Sequence, residues 1–234
     1  MQRAISLEEL KRAAAESAAA LLRSGMIVGL GSGSTATLAV EAIGKRVEQG
    51  LDIVGIPTSE QTAQLARDLH IPLSTMAEHE RIDITIDGAD EVELGTLNLI
   101  KGRGGALLRE KIVASASARF VIVVDTTKLV DQLDTREPLP VEVVPFGWQA
   151  TAKRLRQLGA TLSPRLSSNG EFYITDGGHY ILDCRFPMTQ PARSLEPQLD
   201  SVVGLVEHGL FLGMATEAIV GTPDGVMVLS PRQL

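Results

Sequence analysis

Apolar and polar positions divide the chain into a repeating strand–loop–helix stretch and a differently paced segment that follows it. Ser6-Leu7-Glu8-Glu9 has capping-box spacing, and the Ala-rich helix it opens is expected to run to a C-cap at Gly25. Residues 26–30 form a short apolar run of strand type. The Gly31-Ser32-Gly33-Ser34-Thr35 loop follows at once, and a helical period resumes from Ala36 to about Gln49. Residues 53–56 then read as a strand, 62–69 as a helix and 82–86 as a third strand. Residues 106–117 repeat at helical spacing, and 120–124 are continuously apolar, as expected of a strand covered on both faces. Such alternation predicts an α/β fold, a Rossmann-like open, mostly parallel sheet with helices on both faces.

From about Leu133 the rhythm changes. Pro138 and Pro140 read as a linker, followed by a strand over 141–144, a helix over 148–158 and a strand from Ala160. Two short β segments, 172–175 and 180–184, flank the turn Asp176-Gly177-Gly178, and a helix near 195–202 closes a β-α-β-β-α order. That order predicts a smaller α+β, ferredoxin-like lid or interaction domain. The chain after Gly204, with the Thr222-Pro223-Asp224-Gly225 turn, is expected to return to the first domain. The expected organisation is therefore 1–132 with 205–234 as the catalytic α/β domain, and 133–204 as the smaller one.

Composition narrows this picture. The 234 residues are 44% hydrophobic but only 3% aromatic, so the core rests on Ala, Val, Leu and Ile, and a base-stacking nucleic-acid surface is disfavoured. A net charge of −7 argues against general polyanion binding, so an anionic ligand needs a local site. The single cysteine, Cys184, cannot form an intrachain disulfide and reads as a small core filler. No apolar run approaches the ~18 residues of a membrane span. Glu8, Glu9 and Glu16 interrupt the apolar core a signal peptide would need, so the chain reads as cytoplasmic with no membrane partner.

Three polar clusters follow three expected strands. The glycine loop at 31–35 suits a phosphate, because converging backbone N–H groups, a helix N-terminus and the hydroxyls of Ser32, Ser34 and Thr35 all favour an anion. A tight turn with a Ser/Thr N-cap is the plain alternative. Gly31, Gly33 and Ala36 also satisfy G-x-G-x-x-A, but Asp52 begins the next strand instead of ending it, which disfavours a dinucleotide. The second cluster, Asp87-Gly88-Ala89-Asp90-Glu91, leads to Lys101-Gly102-Arg103-Gly104-Gly105 and a helix carrying Glu110. The third is Asp125-Thr126-Thr127-Lys128. Ligands of open α/β sheets bind at the carboxyl ends of strands, so all three point at one crevice.

Asp87 and Asp90 could hold a hard cation, but they lack a full oxygen-ligand loop, and the four histidines show no metal-binding spacing. Sugar hydroxyls are better partners for them. Glu110 lies between Arg109 and Lys111, yet shares a helical stripe with Ala106, Val113 and Ser117 that is too apolar for an exposed face. A partly buried carboxylate there has reason to carry the raised pKa of a general base.

GSGST, DGADE, KGRGGALLREK, DTTK, LPVEVVP and GTPDGV, in this order and spacing, resemble the type A ribose-5-phosphate isomerases over essentially the whole chain. The resemblance implies a pentose phosphate enzyme that interconverts ribose 5-phosphate and ribulose 5-phosphate through an enediolate, without metal or other cofactor, as a homodimer. It implies Glu110 as proton acceptor; the enediolate oxygens formed then call for donors, a role open to Lys101 and Asp87, with Asp87 also a candidate for assisting ring opening. Substrate contacts fall on Ser32, Gly33, Ser34 and Thr35, on Asp87, Gly88, Ala89 and Asp90, on Lys101, Gly102, Arg103 and Gly104, and on Lys128. Ser32 stands where threonine is common, and Arg103 where some members have glycine. The rival readings are a non-catalytic sugar-phosphate sensor and an acyl-coenzyme A transferase, which also uses a glutamate.

Overall fold

The computed structural model describes residues 5–133, 136–187 and 192–232. The first helix, α1 (Leu7–Ala19), opens on the expected capping box, with the Glu9 N–H donating to Ser6 Oγ and the Ser6 N–H to the Glu9 carboxylate at 2.8 Å. It stops at Ala19, well short of Gly25. That glycine (φ +88°) instead sets up the entry to β1, its N–H bound to the Asp52 carbonyl. Then come β1 (Ile27–Leu30), α2 (Ser34–Glu48), β2 (Val54–Pro57), α3 (Glu60–Asp68) and β3 (Ile84–Asp87). Two short strands follow, β4 (Glu91–Glu93) and β5 (Leu99–Ile100), before α4 (Leu107–Ser115), β6 (Phe120–Asp125), a 3₁₀ turn (Thr126–Lys128) and β7 (Leu129–Val130).

The next group comprises β8 (Leu139–Val143), α5 (Trp148–Gln157), β9 (Thr161–Pro164), β10 (Tyr180–Arg185), α6 (Ala192–Asp200) and β11 (Leu205–His208). The chain closes with β12 (Leu210–Phe211), β13 (Glu217–Thr222) and β14 (Gly225–Leu229).

The main sheet has the order β14-β13-β6-β3-β1-β2 and is parallel except for β14 at one edge. Strand β6 explains its own apolar run. Val121 and Val123 enter the core beneath α1 and α2, while Phe120, Ile122 and Val124 enter a second core on the opposite face. That second face is covered in part by a four-stranded sheet, β12-β5-β4-β7, which the hydrophobic pattern does not reveal. Strands of two or three residues are too short to display a period. Because β6, β3 and β1 are neighbours, the polar clusters after Leu30, Ile86 and Val124 lie side by side.

The smaller unit has the order β11-β8-β10-β9 with every neighbouring pair antiparallel, a split β-α-β-β-α-β sheet of ferredoxin-like type. Its fourth strand, β11, comes from residues expected to have rejoined the first domain, and its pairing with β8 supplies the missing last element. Pro140, expected in a linker, lies inside β8. It needs no donor there, since β11 pairs only as far as Val141 and Gly209 N–H donates to the Pro140 carbonyl. The 172–175 segment forms only isolated bridges. Phe172 packs instead between the rings of Trp148 and Tyr180, at 5.4 and 4.6 Å. Cys184 is buried in this unit's core, the filler position its residue type suggested. Among the described residues no helix is long and apolar enough to cross a membrane.

Candidate active site

The site starts where β1 ends against β3. A Cβ on Gly31 would lie 2.2 Å from Asp87 Oδ1 and 2.5 Å from Asp87 Cα, so only glycine lets the two strand ends approach this closely. The approach lets the Ser32 N–H donate to Asp87 Oδ1 at 3.0 Å, alongside the Gly88 N–H at 2.7 Å. Ser32 Oγ turns away into a buried hydroxyl cluster with Thr58, Ser59 and Thr62. Gly33 caps α2 with no side-chain hydrogen bond, so the plain Ser/Thr-cap alternative does not hold. The N–H groups of the first turn of α2 are left for an anion.

Behind this cradle lies a buried charge cluster. Lys101 is 2% exposed, and its ammonium sits 3.0 Å from Asp87 Oδ2, 3.4 Å from Glu110 Oε2 and 2.6 Å from the Gly88 carbonyl it donates to. Asp87 is 0% and Glu110 4% exposed. Two buried carboxylates thus share one ammonium, which can neutralise only one of them. Burial pushes the Glu110 carboxyl up to about 8; Lys101 opposes that rise, and the carboxylates of Asp87 and Asp90 reinforce it. Burial likewise raises Asp87, against the pull of Lys101 and of the Gly88 and Ser32 N–H groups. For Lys101 burial favours the neutral amine, but Asp87 and Glu110 together outweigh it and hold the ammonium above the ordinary lysine value.

The neighbours of Glu110 fix its direction. Arg109 pairs with Glu60 at 2.9 Å and with Asp176 at 3.5 Å, while Lys111 pairs with Glu207 at 2.6 Å and donates to the His208 carbonyl at 2.7 Å. Anchored on both flanks, α4 turns Glu110 and Val113 inward, the stripe its spacing suggested.

Above the cluster opens a cleft of about 340 Å³. Every residue expected at the site lines it except Asp87: Ser32, Gly33, Ser34 and Thr35, then Gly88, Ala89 and Asp90, then Lys101, Gly102, Arg103 and Gly104, and finally Glu110 and Lys128. Asp87, expected to face the sugar, lies wholly beneath and reaches the cleft only through Lys101 and the backbone it binds. Asp90 Oδ2 accepts the Arg103 N–H at 2.9 Å, and burial raises its carboxyl too. The Arg103 guanidinium pairs with Glu137 at 2.6 Å, so its backbone is its link to the Asp90 carboxylate. Glu91, the last residue of DGADE, instead accepts the N–H groups of Arg136 and Glu137 and holds a turn.

One lining residue was not anticipated. Lys11 reaches in from α1, its ammonium 3.2 Å from Ser34 Oγ at the mouth of the cradle. Nothing in the sequence marks this lysine, because its approach depends on how α1 packs beside α2.

Comparison with known proteins identifies the family. The chain matches the family described as ribose 5-phosphate isomerase A (phosphoriboisomerase A) over residues 54–225. A ribose-5-phosphate isomerase A from Gloeobacter violaceus is 58% identical over 228 residues, covering 97% of this chain and 98% of the relative. One from Gluconobacter oxydans is 55% identical, covering 92% and 94%. Among solved structures, the ribose 5-phosphate isomerase A of Methanocaldococcus jannaschii superposes with a TM-score of 0.92 at 40% identity, covering 96% of this chain and all of that one. A D-ribose-5-phosphate isomerase in complex with phospho-erythronic acid gives 0.93 at 39% identity, covering 97% and 100%. With the family match, the full-length relatives and the solved structures in agreement, the chain belongs to the ribose 5-phosphate isomerase A family.

Proposed function

We propose that this cleft interconverts D-ribose 5-phosphate and D-ribulose 5-phosphate through an enediolate, with Glu110 as the base. The observation that carries the reading is a glutamate, buried and lifted to about 8, lining a cleft beside a buried ammonium and next to an open helix N-terminus. Membership of an isomerase family leaves neither the sensor nor the acyl-coenzyme A transferase with an observation in its favour.

The chemistry follows from charge conservation. Glu110 takes the proton from C2 of the open-chain aldose and returns it to C1, while one proton passes from O2 to O1. Negative charge then moves from the carboxylate to the enediolate oxygens, and the Lys101 ammonium is near enough to balance it in both states. Asp87 positions that ammonium from below. The phosphate is held by the 33–35 cradle, Lys11 and Lys128, which anchor the substrate at a point remote from the reacting carbons. We read the chain further as a cytoplasmic homodimer. A lone buried cysteine fits a reducing compartment, and exposed apolar side chains such as Phe146 and Val203 offer surface for a second copy.

Purified protein incubated with ribose 5-phosphate in EDTA should form ribulose 5-phosphate; no product would refute the reading. In the same assay Lys11→Ala should raise KM about tenfold with kcat within about threefold, since a phosphate contact acts in ground and transition states alike.

A further inference from the structure

The loop that carries Lys101 is held from the smaller unit by a residue outside the cleft lining. Arg165 follows β9, its own N–H bound to the Ile181 carbonyl at 2.8 Å. Its guanidinium is gripped by Asp183 of β10, through Nε at 3.0 Å to Oδ2 and through Nη2 to Oδ1. The remaining nitrogen, Nη1, donates to two successive carbonyls, Gly102 at 2.8 Å and Arg103 at 2.9 Å. One planar, fully charged fork thus joins a carboxylate of the smaller unit to two peptides of the active-site loop. The loop is closed from the same side at Gly105 (φ +83°), where a Cβ would lie 2.3 Å from the Tyr173 hydroxyl.

The direction of those carbonyls matters chemically. In a trans peptide C=O and N–H point opposite ways, so drawing the Gly102 and Arg103 carbonyls toward Arg165 turns the N–H groups of Arg103 and Gly104 away from it. The first of these meets Asp90 Oδ2 at 2.9 Å, and Gly104 lines the cleft. A cation on the carbonyl side also polarises each peptide and makes its N–H a better donor to negative charge.

We propose that Arg165 is a positioning residue for the isomerisation, setting and polarising the 102–104 peptides so that the Gly104 N–H is presented to the enediolate oxygens. The inference rests on the isomerase reading. It makes the smaller unit part of the catalytic apparatus through the Asp183–Arg165 relay, although none of that unit's described residues lines the cleft.

The test compares wild type, Arg165→Lys and Arg165→Ala in steady-state assays with melting curves. Lysine keeps the charge but cannot serve the carboxylate and both carbonyls in one plane. Arg165→Lys should lose about tenfold or more in kcat, with KM within about threefold and melting near wild type. Arg165→Ala should lose more, and millimolar guanidinium should restore part of it. Wild-type kcat in Arg165→Lys, a loss confined to KM, or no rescue of a folded Arg165→Ala would overturn the inference while wild-type turnover keeps the isomerase reading intact. Absence of turnover in the wild type overturns both.

Discussion

Glu110→Gln is expected to lower kcat by about 10²- to 10⁴-fold, the usual contribution of a positioned general base, with KM little changed. Glutamine keeps the shape of a side chain that is nearly wholly buried on α4, so the loss isolates proton transfer. The same substitution has a signature in pH. A base must be unprotonated, so wild-type kcat/KM should rise along an acid limb set by a carboxyl lifted to about 8, far above the ordinary glutamate range. Stability should move the other way. A carboxyl whose folded pKa is raised contributes stability that is fully present below its unfolded value and is lost as pH climbs through the folded one. Between about pH 4.5 and 8 the wild type should therefore soften with rising pH, by up to about 1.4 kcal/mol per unit for this one group. Denaturant melts of Glu110→Gln should lose this contribution and show a shallower slope; an identical slope in both proteins would place the buried proton elsewhere.

Lys101→Met is expected to damage both activity and fold. The ammonium is the shared counter-charge of Asp87 and Glu110, and Asp90 also feels it. Removing it leaves Asp87 and Glu110 buried without the ammonium they share, a change that costs about 3–5 kcal/mol when one partner of a buried pair is lost. Turnover should fall by about 10²-fold or more, because the enediolate loses its balancing charge. Acid should repair the fold but not the activity. With Lys101 gone, the raised pKa values of Asp87 and Glu110 climb further, so their destabilisation is largest at pH 8 and shrinks as both protonate toward pH 5. Urea titrations at the two pH values measure this, and an equal deficit at both would mean that Lys101 matters for packing and not for charge.

Much of this site is legible in the sequence because its parts sit at strand ends. The apolar run of β6 announces burial on both faces, and the alternation before it announces a parallel sheet, which forces the clusters after Leu30, Ile86 and Val124 onto one edge. Glu110 is legible for a subtler reason, since its helical stripe is apolar although its chain neighbours are charged. What stays hidden depends on packing between distant segments. Asp87 looks like a ligand contact until the close approach at Gly31 places it below the floor of the cleft. Lys11 and Arg165 reach the site and its loop from α1 and from the end of β9, and no local pattern records where a long side chain ends. The β12-β5-β4-β7 sheet escapes because strands this short have no period to read.

The proposed role of Glu110 is to move a proton between two carbons of a bound phosphosugar. Ribose 5-phosphate held in D₂O with wild-type protein should acquire solvent deuterium at the exchanging carbon, followed by proton NMR, whereas Glu110→Gln of matched melting temperature should leave the carbon-bound hydrogen in place over the same interval. Deuterium entering at the wild-type rate in Glu110→Gln would contradict it.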